Sequence, residues 1–164
     1  MSGKNQVGLL KTMLSKKITP LIKDSYLAVI KNSLGSNIFR NFYIKLNEEK
    51  KDALENGKYA CAFYVSAVLN MFNLIKNGHC TVTSTLKDMK NSGWYKIKQP
   101  KIGCVIHWSL WDRGGGVPHE HLGFYIGHSW AVDTDLRTGQ PAQRKFNYRP
   151  IESFYWHKKL DKEK

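Results

Sequence analysis

Acidic residues are scarce in this chain. Thirteen Asp and Glu stand against 26 Lys and Arg over 164 residues, leaving a formal charge of +13. That balance argues against a surface built for cationic partners and favours polyanions. The basic residues are spread out. Lys16-Lys17, Lys50-Lys51 and Lys158-Lys159 are only doublets, so a dedicated nucleic-acid partner is not expected. Long apolar runs are missing too: nothing reaches the roughly 18 residues of a membrane span, and none is expected. Cysteine is limited to Cys61, Cys80 and Cys104. The odd count and the lack of a Cys-x-x-Cys pair exclude a zinc ribbon and a disulfide framework. Repeats and low-complexity linkers are also lacking, and the length suits one domain with a real core.

What is present changes character near residue 57. Residues 1–56 read as a helical N-terminal extension packed on the core. Leu9, Leu10, Met13 and Leu14 recur at helical spacing, as do Leu21, Ile22, Tyr26, Val29 and Ile30. Thr19-Pro20 fits a helix start and Leu34-Gly35 a stop. The segment 38–46 is either helical or extended, and 47–55 reads as a charged helical turn. Residues 57–160 form the second unit. An apolar helix spans 60–75, a β-prone Thr81-Val82-Thr83 precedes a short helix capped by Ser84, and strands follow at 94–97, 104–108, 121–126, 129–133 and 151–156. The segments 112–118 and 136–145 read as loops. Helices followed by an antiparallel sheet make an α+β fold.

Cys61 opens the apolar helix. A helix N-terminus presents unpaired N–H groups and a positive dipole end, which stabilise a thiolate and an oxyanion on an attacked carbonyl. A thiol nucleophile needs a base. His121 starts the strand His121-Leu122-Gly123-Phe124-Tyr125-Ile126-Gly127, and Gly123 leaves room for a close neighbour. The next strand, Trp130-Ala131-Val132-Asp133, offers Asp133 to orient the imidazole, with Asp135 at the same parity as the alternative. Cys80 and Cys104 read as packing residues, and His79 and His157 as surface or packing residues. Tyr59, Trp108, Trp111 and His119 are the candidate substrate contacts.

These segments resemble a family. Tyr59-Ala60-Cys61-Ala62-Phe63-Tyr64-Val65-Ser66 resembles the nucleophile helix of the NlpC-type and CHAP-type cell-wall hydrolases. Gly103-Cys104-Val105-Ile106-His107-Trp108 resembles the strand before their catalytic histidine, and His121 to Gly127 resembles the histidine strand itself. The chain differs at Ala60, where the NlpC type usually carries Asp, and at Cys104, where a Gly-Asp turn is usual. The resemblance covers residues 58 to about 156. It implies a papain-like core with the nucleophile helix packed on a small antiparallel sheet, acting as a cysteine peptidase or amidase on peptidoglycan. It implies Cys61 as nucleophile, His121 as base then acid, and Asp133 as orienting residue, without cofactor or metal. The expected protein is a monomer. No leader-like segment opens the sequence, so action at the cell wall is expected to follow export by another route or lysis.

Other readings compete with this one. His119 and His121 share a strand face, and with His107 or His128 they suggest a zinc site, although no third ligand falls at an obvious spacing. The same fold could also serve as a wall- or nucleic-acid-binding module, or as a thiol hydrolase or acyltransferase of another amide or ester.

Overall fold

The apolar stretch after residue 59 is the centre around which the rest is built. In the computed structural model, which describes residues 19–111 and 118–161, it forms helix α2 (Cys61–Met71). The helix is buried along most of its length, from Cys61 and Ala62 through Tyr64, Val65 and Val68 to Leu69, as expected for one that is apolar nearly all round. It stops earlier than its composition predicts. Asn73 takes a left-handed φ of 52°, the Leu74 N–H donates to the Leu69 carbonyl at 3.0 Å, and the Asn73 N–H donates to the Asn70 carbonyl at 3.0 Å. This Schellman closure ends the helix although apolar residues continue.

Helix α1 (Ile22–Asn32) precedes α2 and helix α3 (Val82–Asn91) follows it. The cap of α3 is Thr81, whose Oγ1 accepts from the Ser84 N–H at 3.2 Å. The β-prone reading of Thr81-Val82-Thr83 therefore gives way to helix: one hydroxyl at the N-cap outweighs the modest β preference of its neighbours.

Six strands form an antiparallel sheet: β3 (Tyr95–Ile97), β4 (Val105–Trp111), β5 (His119–Gly127), β6 (Trp130–Thr134), β7 (Pro141–Lys145) and β8 (Ile151–Trp156), in the order β3-β8-β4-β5-β6-β7. A separate hairpin pairs β1 (Tyr43–Leu46) with β2 (Glu49–Asp52). The chain is thus α+β. The hairpin corrects the helical reading of residues 47–55. Asn47 and Glu48 both take positive φ, 49° and 67°, which makes the tight turn that matches strand twist. Strand β7 likewise corrects the loop reading of 136–145. It is an edge strand, the place in a sheet where a proline such as Pro141 is tolerated. The predicted helix around Leu9 to Leu14 and the loop at 112–117 lie outside the described residues.

Helix α2 packs against β5 and β6. The core beneath it includes Tyr26, Ile30, Val65, Leu69, Leu122, Phe124 and Trp156. Each fully buried apolar side chain contributes about 1.5–3 kcal/mol. Helix α1 belongs to this core. The Tyr26 ring meets Phe72 and Phe124 edge-on, each at 5.7 Å, and its hydroxyl donates to the Gly103 carbonyl at 2.9 Å. A smaller cluster of Ile106, Trp108 and Ala131, covered by Phe146, Tyr148 and Phe154, forms a second packed region of the sheet.

Candidate active site

Cys61 is the first residue of α2, and its predecessor Ala60 supplies no side-chain cap. The first N–H groups of the helix are therefore not taken up by a capping side chain. His121 lies near the start of β5, and Asp133 lies on β6, where it pairs across the ladder with Gly123. The helix packing brings the Cys61 thiol beside the His121 ring. The Asp133 Oδ2 lies 3.6 Å from His121 Nε2.

Gly123 makes this arrangement possible. A Cβ there would lie 2.8 Å from the Val132 carbonyl oxygen, 2.9 Å from Asp133 Cβ and 2.9 Å from the edge of the Trp108 ring. The close neighbours predicted for it are thus the backbone of the next strand at Val132, with Asp133 and Trp108.

Electrostatics set the thiol and imidazole apart from their ordinary states. Burial alone would push the Cys61 thiol up. The charge of His121, contact with its ring, and hydrogen bonds from the Leu122 and Ala62 N–H groups outweigh burial and hold the thiol below the usual cysteine value. Burial also favours a neutral His121. The Cys61 charge and then Asp133 lift it instead to about 9. The two shifts share a cause, since an ionised thiol and a protonated ring stabilise each other. The other two thiols move the opposite way. Burial pushes Cys104 up to about 12, and burial with the Asp52 charge raises Cys80.

Asp133 is fully buried, and the charge that accompanies it comes from a residue that sequence reasoning did not single out. Arg144 on β7 forms an ion pair with it, Nε to Oδ1 at 2.8 Å. The Arg144 Nη2 also donates to Asp135 at 3.2 Å. Tyr148 stacks on the guanidinium at 4.9 Å; burial and the Asp133 charge raise its pKa, keeping the phenol protonated. Arg144 falls in the segment whose composition reads as a loop. The signal that could have found it is the requirement that a buried carboxylate be paired. Asp135, the alternative third residue, plays a different part. It accepts from the Arg137 and Thr138 N–H groups at 2.9 and 3.2 Å and shapes the β6–β7 turn.

The thiol opens onto a cleft of about 370 Å³ whose walls include Tyr59, Lys58, Cys80, His119, His121 and Leu136. Of the four candidate substrate contacts, Tyr59 and His119 line this cleft. Trp108 and Trp111 do not. Trp108 is fully buried, packs 5.6 Å from the His121 ring, and donates from Nε1 to the Phe146 carbonyl at 2.8 Å. It backs the histidine. Trp111 stacks on Arg149 at 5.6 Å, and Arg149 in turn donates to the His119 and Ser109 carbonyls at 2.6 and 2.9 Å. Cys80, read as packing, is instead part of the cleft wall.

Of the histidines considered for a metal, His119 and His121 are neighbours, with ring centroids 6.3 Å apart. His107 shares a hydrogen bond with Glu120 at 3.0 Å, and His128 occupies the β5–β6 turn with a φ of 51°. Among the described residues, no group of three or more His, Cys, Asp or Glu side chains is placed to hold an ion. Among the same residues, no helix is long and apolar enough to cross a membrane. No protein-family model matches the chain, and no curated protein matches it.

Proposed function

We propose that this chain is a papain-like cysteine hydrolase of the NlpC/CHAP kind, cleaving amide bonds in peptidoglycan. The observation that carries the reading is the Cys61 thiol at an uncapped helix start, held below its ordinary pKa by His121 and open to a cleft. The fold order supports it as well, with the nucleophile on a helix and the base and its partner on successive strands.

The chemistry follows from the geometry. The Cys61 thiolate attacks the amide carbonyl carbon. The oxygen becomes an oxyanion near the N–H groups at the start of α2, where the helix dipole favours negative charge. Protonated His121 gives its proton to the departing amine, the C–N bond breaks, and a thioester remains on Cys61. Neutral His121 then takes a proton from water as the hydroxide adds to the thioester. The C–S bond breaks, releasing a carboxylic acid and restoring the thiolate–imidazolium pair. Asp133 holds the ring orientation through both steps and favours the protonated ring.

Purified peptidoglycan tests the reading. Native protein is expected to release new amines or soluble muropeptides, and Cys61→Ala none. Equal release by both proteins would remove Cys61 from the mechanism.

A further inference from the structure

A groove of about 530 Å³ lies away from the thiol, between the C-terminal half of α3 and the sheet edge formed by β3 and β8. Its walls carry Lys87, Lys90 and Lys96 together with Leu86, Tyr95 and Tyr155. The three lysines are exposed, and among the described residues none pairs with a carboxylate within ion-pair distance. No carboxylate stands among the described groove-lining residues. Three lysines without a carboxylate partner, one of them (Lys96) with Nζ 5.9 Å from the Tyr155 ring centroid, stand beside two tyrosine rings and form a surface for an anionic polymer with apolar ring faces.

The groove is also tied to the cleft. Val82 at the start of α3 lines the cleft, and Leu86 and Lys90 line the groove. Residues four apart share one helix face, and a helix of 10 residues is about 15 Å long. One side of α3 therefore runs from the thiol cleft to the lysine groove.

We propose that this groove is a non-catalytic anchoring site for the carboxylate-bearing glycan–peptide strand whose amide bond occupies the cleft. The inference rests on the peptidoglycan reading above. The lysines meet carboxylates of the strand, Tyr95 and Tyr155 take sugar faces, and α3 sets the spacing between anchored and cleaved repeats. A free single strand of nucleic acid has related chemistry and is an outcome the test separates.

The experiment uses full-length Cys61→Ala protein, which holds substrate without turnover, and insoluble purified peptidoglycan as the probe. The triple variant Lys87→Glu/Lys90→Glu/Lys96→Glu is expected to lose binding by about tenfold or more. A control with the same charge change elsewhere, Lys31→Glu/Lys50→Glu/Lys158→Glu, should lose less than about twofold. A Lys→Gln version of the groove triple, matched to native by thermal melting, guards against loss through misfolding and should also weaken binding. Equal losses in groove and control triples would overturn the proposal, since net charge alone would then explain attachment. It would also fall if the groove triple lost binding to a single-stranded oligonucleotide while peptidoglycan binding stayed unchanged. Muropeptide release by native protein is read separately. If release is absent while groove-dependent binding persists, the hydrolase reading fails and the anchoring site stands.

Discussion

Two His–Asp pairs in this molecule use the same side chains to opposite ends. His79 Nε2 lies 2.8 Å from Asp88 Oδ2. The Asp88 carboxylate also accepts from the Lys76 and Asn77 N–H groups at 3.2 and 3.0 Å, and from the Ser92 hydroxyl at 3.0 Å. Burial works against its charge, but these hydrogen bonds, led by His79, bring its pKa down to about 2. The pair is saturated and stitches the loop after α2 to α3. His121 and Asp133 are farther apart at 3.6 Å, and among the described residues neither Asp133 oxygen accepts a backbone hydrogen bond. Its counter-charge is Arg144, and a thiol stands on the other side of its histidine. A saturated pair holds a loop in place. A buried pair held by side chains alone, with a thiol beside its histidine, suits the proton transfer proposed above.

That contrast can be broken most sharply at His121. His121→Ala is expected to lower hydrolysis by about 10³-fold or more, since the thiol loses both base and counter-charge. The alkylation rate of Cys61 should fall with it. His79→Ala should leave both unchanged. The next largest effect belongs to Asp133→Asn, about 10²-fold in rate. Here the sign of the pH response matters. His121 must carry its proton to release the amine, so native activity is expected to fall as pH rises through about 9. It is expected to fall on the acid side as the Cys61 thiolate is protonated, at a pH below the usual cysteine range. Asp133→Asn removes a charge that raises His121, so its alkaline limb should move to lower pH. Arg144→Gln does the reverse. It leaves the Asp133 charge uncompensated, and the alkaline limb should move to higher pH, with Arg144→Lys returning it toward native. Opposite displacements in the two variants, read from pH–rate profiles, would sharpen the assignment; a common direction would break it.

The remaining effects are on stability. Removing one member of the buried Arg144–Asp133 pair is expected to cost about 3–5 kcal/mol in denaturant unfolding. Gly123→Ala should cost about 1–3 kcal/mol, because two of the atoms its Cβ would meet are the Val132 carbonyl oxygen and the Asp133 Cβ, which are fixed by the sheet. Asp88→Ala should cost a similar amount through its orphaned backbone donors, with the Cys61 alkylation rate unchanged. The Asp88 contribution has a defined pH sense. A depressed folded pKa gives stability that is present above the unfolded value of 3.8 and lost as pH falls toward about 2. Acid unfolding of native protein and Asp88→Ala should therefore differ least at the lowest pH.

The placement of Cys61, His121 and Asp133 was legible in the sequence because it follows from element periodicity. A Cys at the first turn of an apolar helix, a His on a strand followed by Gly, and an Asp on the next strand can be read from spacing alone. Their supporting groups were not legible. Arg144 sits on an edge strand, Pro141-Ala142-Gln143-Arg144-Lys145, with no β-branched residue and with a proline, so composition spoke for a loop. The β1–β2 hairpin is rich in Lys and Glu, which favour helix, and its turn uses Glu48 at positive φ, a residue that gives no turn signal. Trp108 and Trp111 carried no mark of which face they take, since aromatic residues suit both cores and cleft walls. The position of Cys80 on the cleft wall depended on where α3 begins, and that was decided by one hydroxyl at Thr81.

The central claim is that Cys61 alone among the three thiols is activated. The measurement that tests it most directly is the rate of iodoacetamide alkylation at each cysteine of the folded protein, resolved by mass spectrometry across pH from about 5 to 9. The account predicts that Cys61 reacts fastest near neutral pH, with an apparent pKa below the usual cysteine value, and that His121→Ala abolishes its lead. Faster reaction at Cys80, which shares the cleft wall, or a Cys61 rate that rises only at alkaline pH, would contradict it.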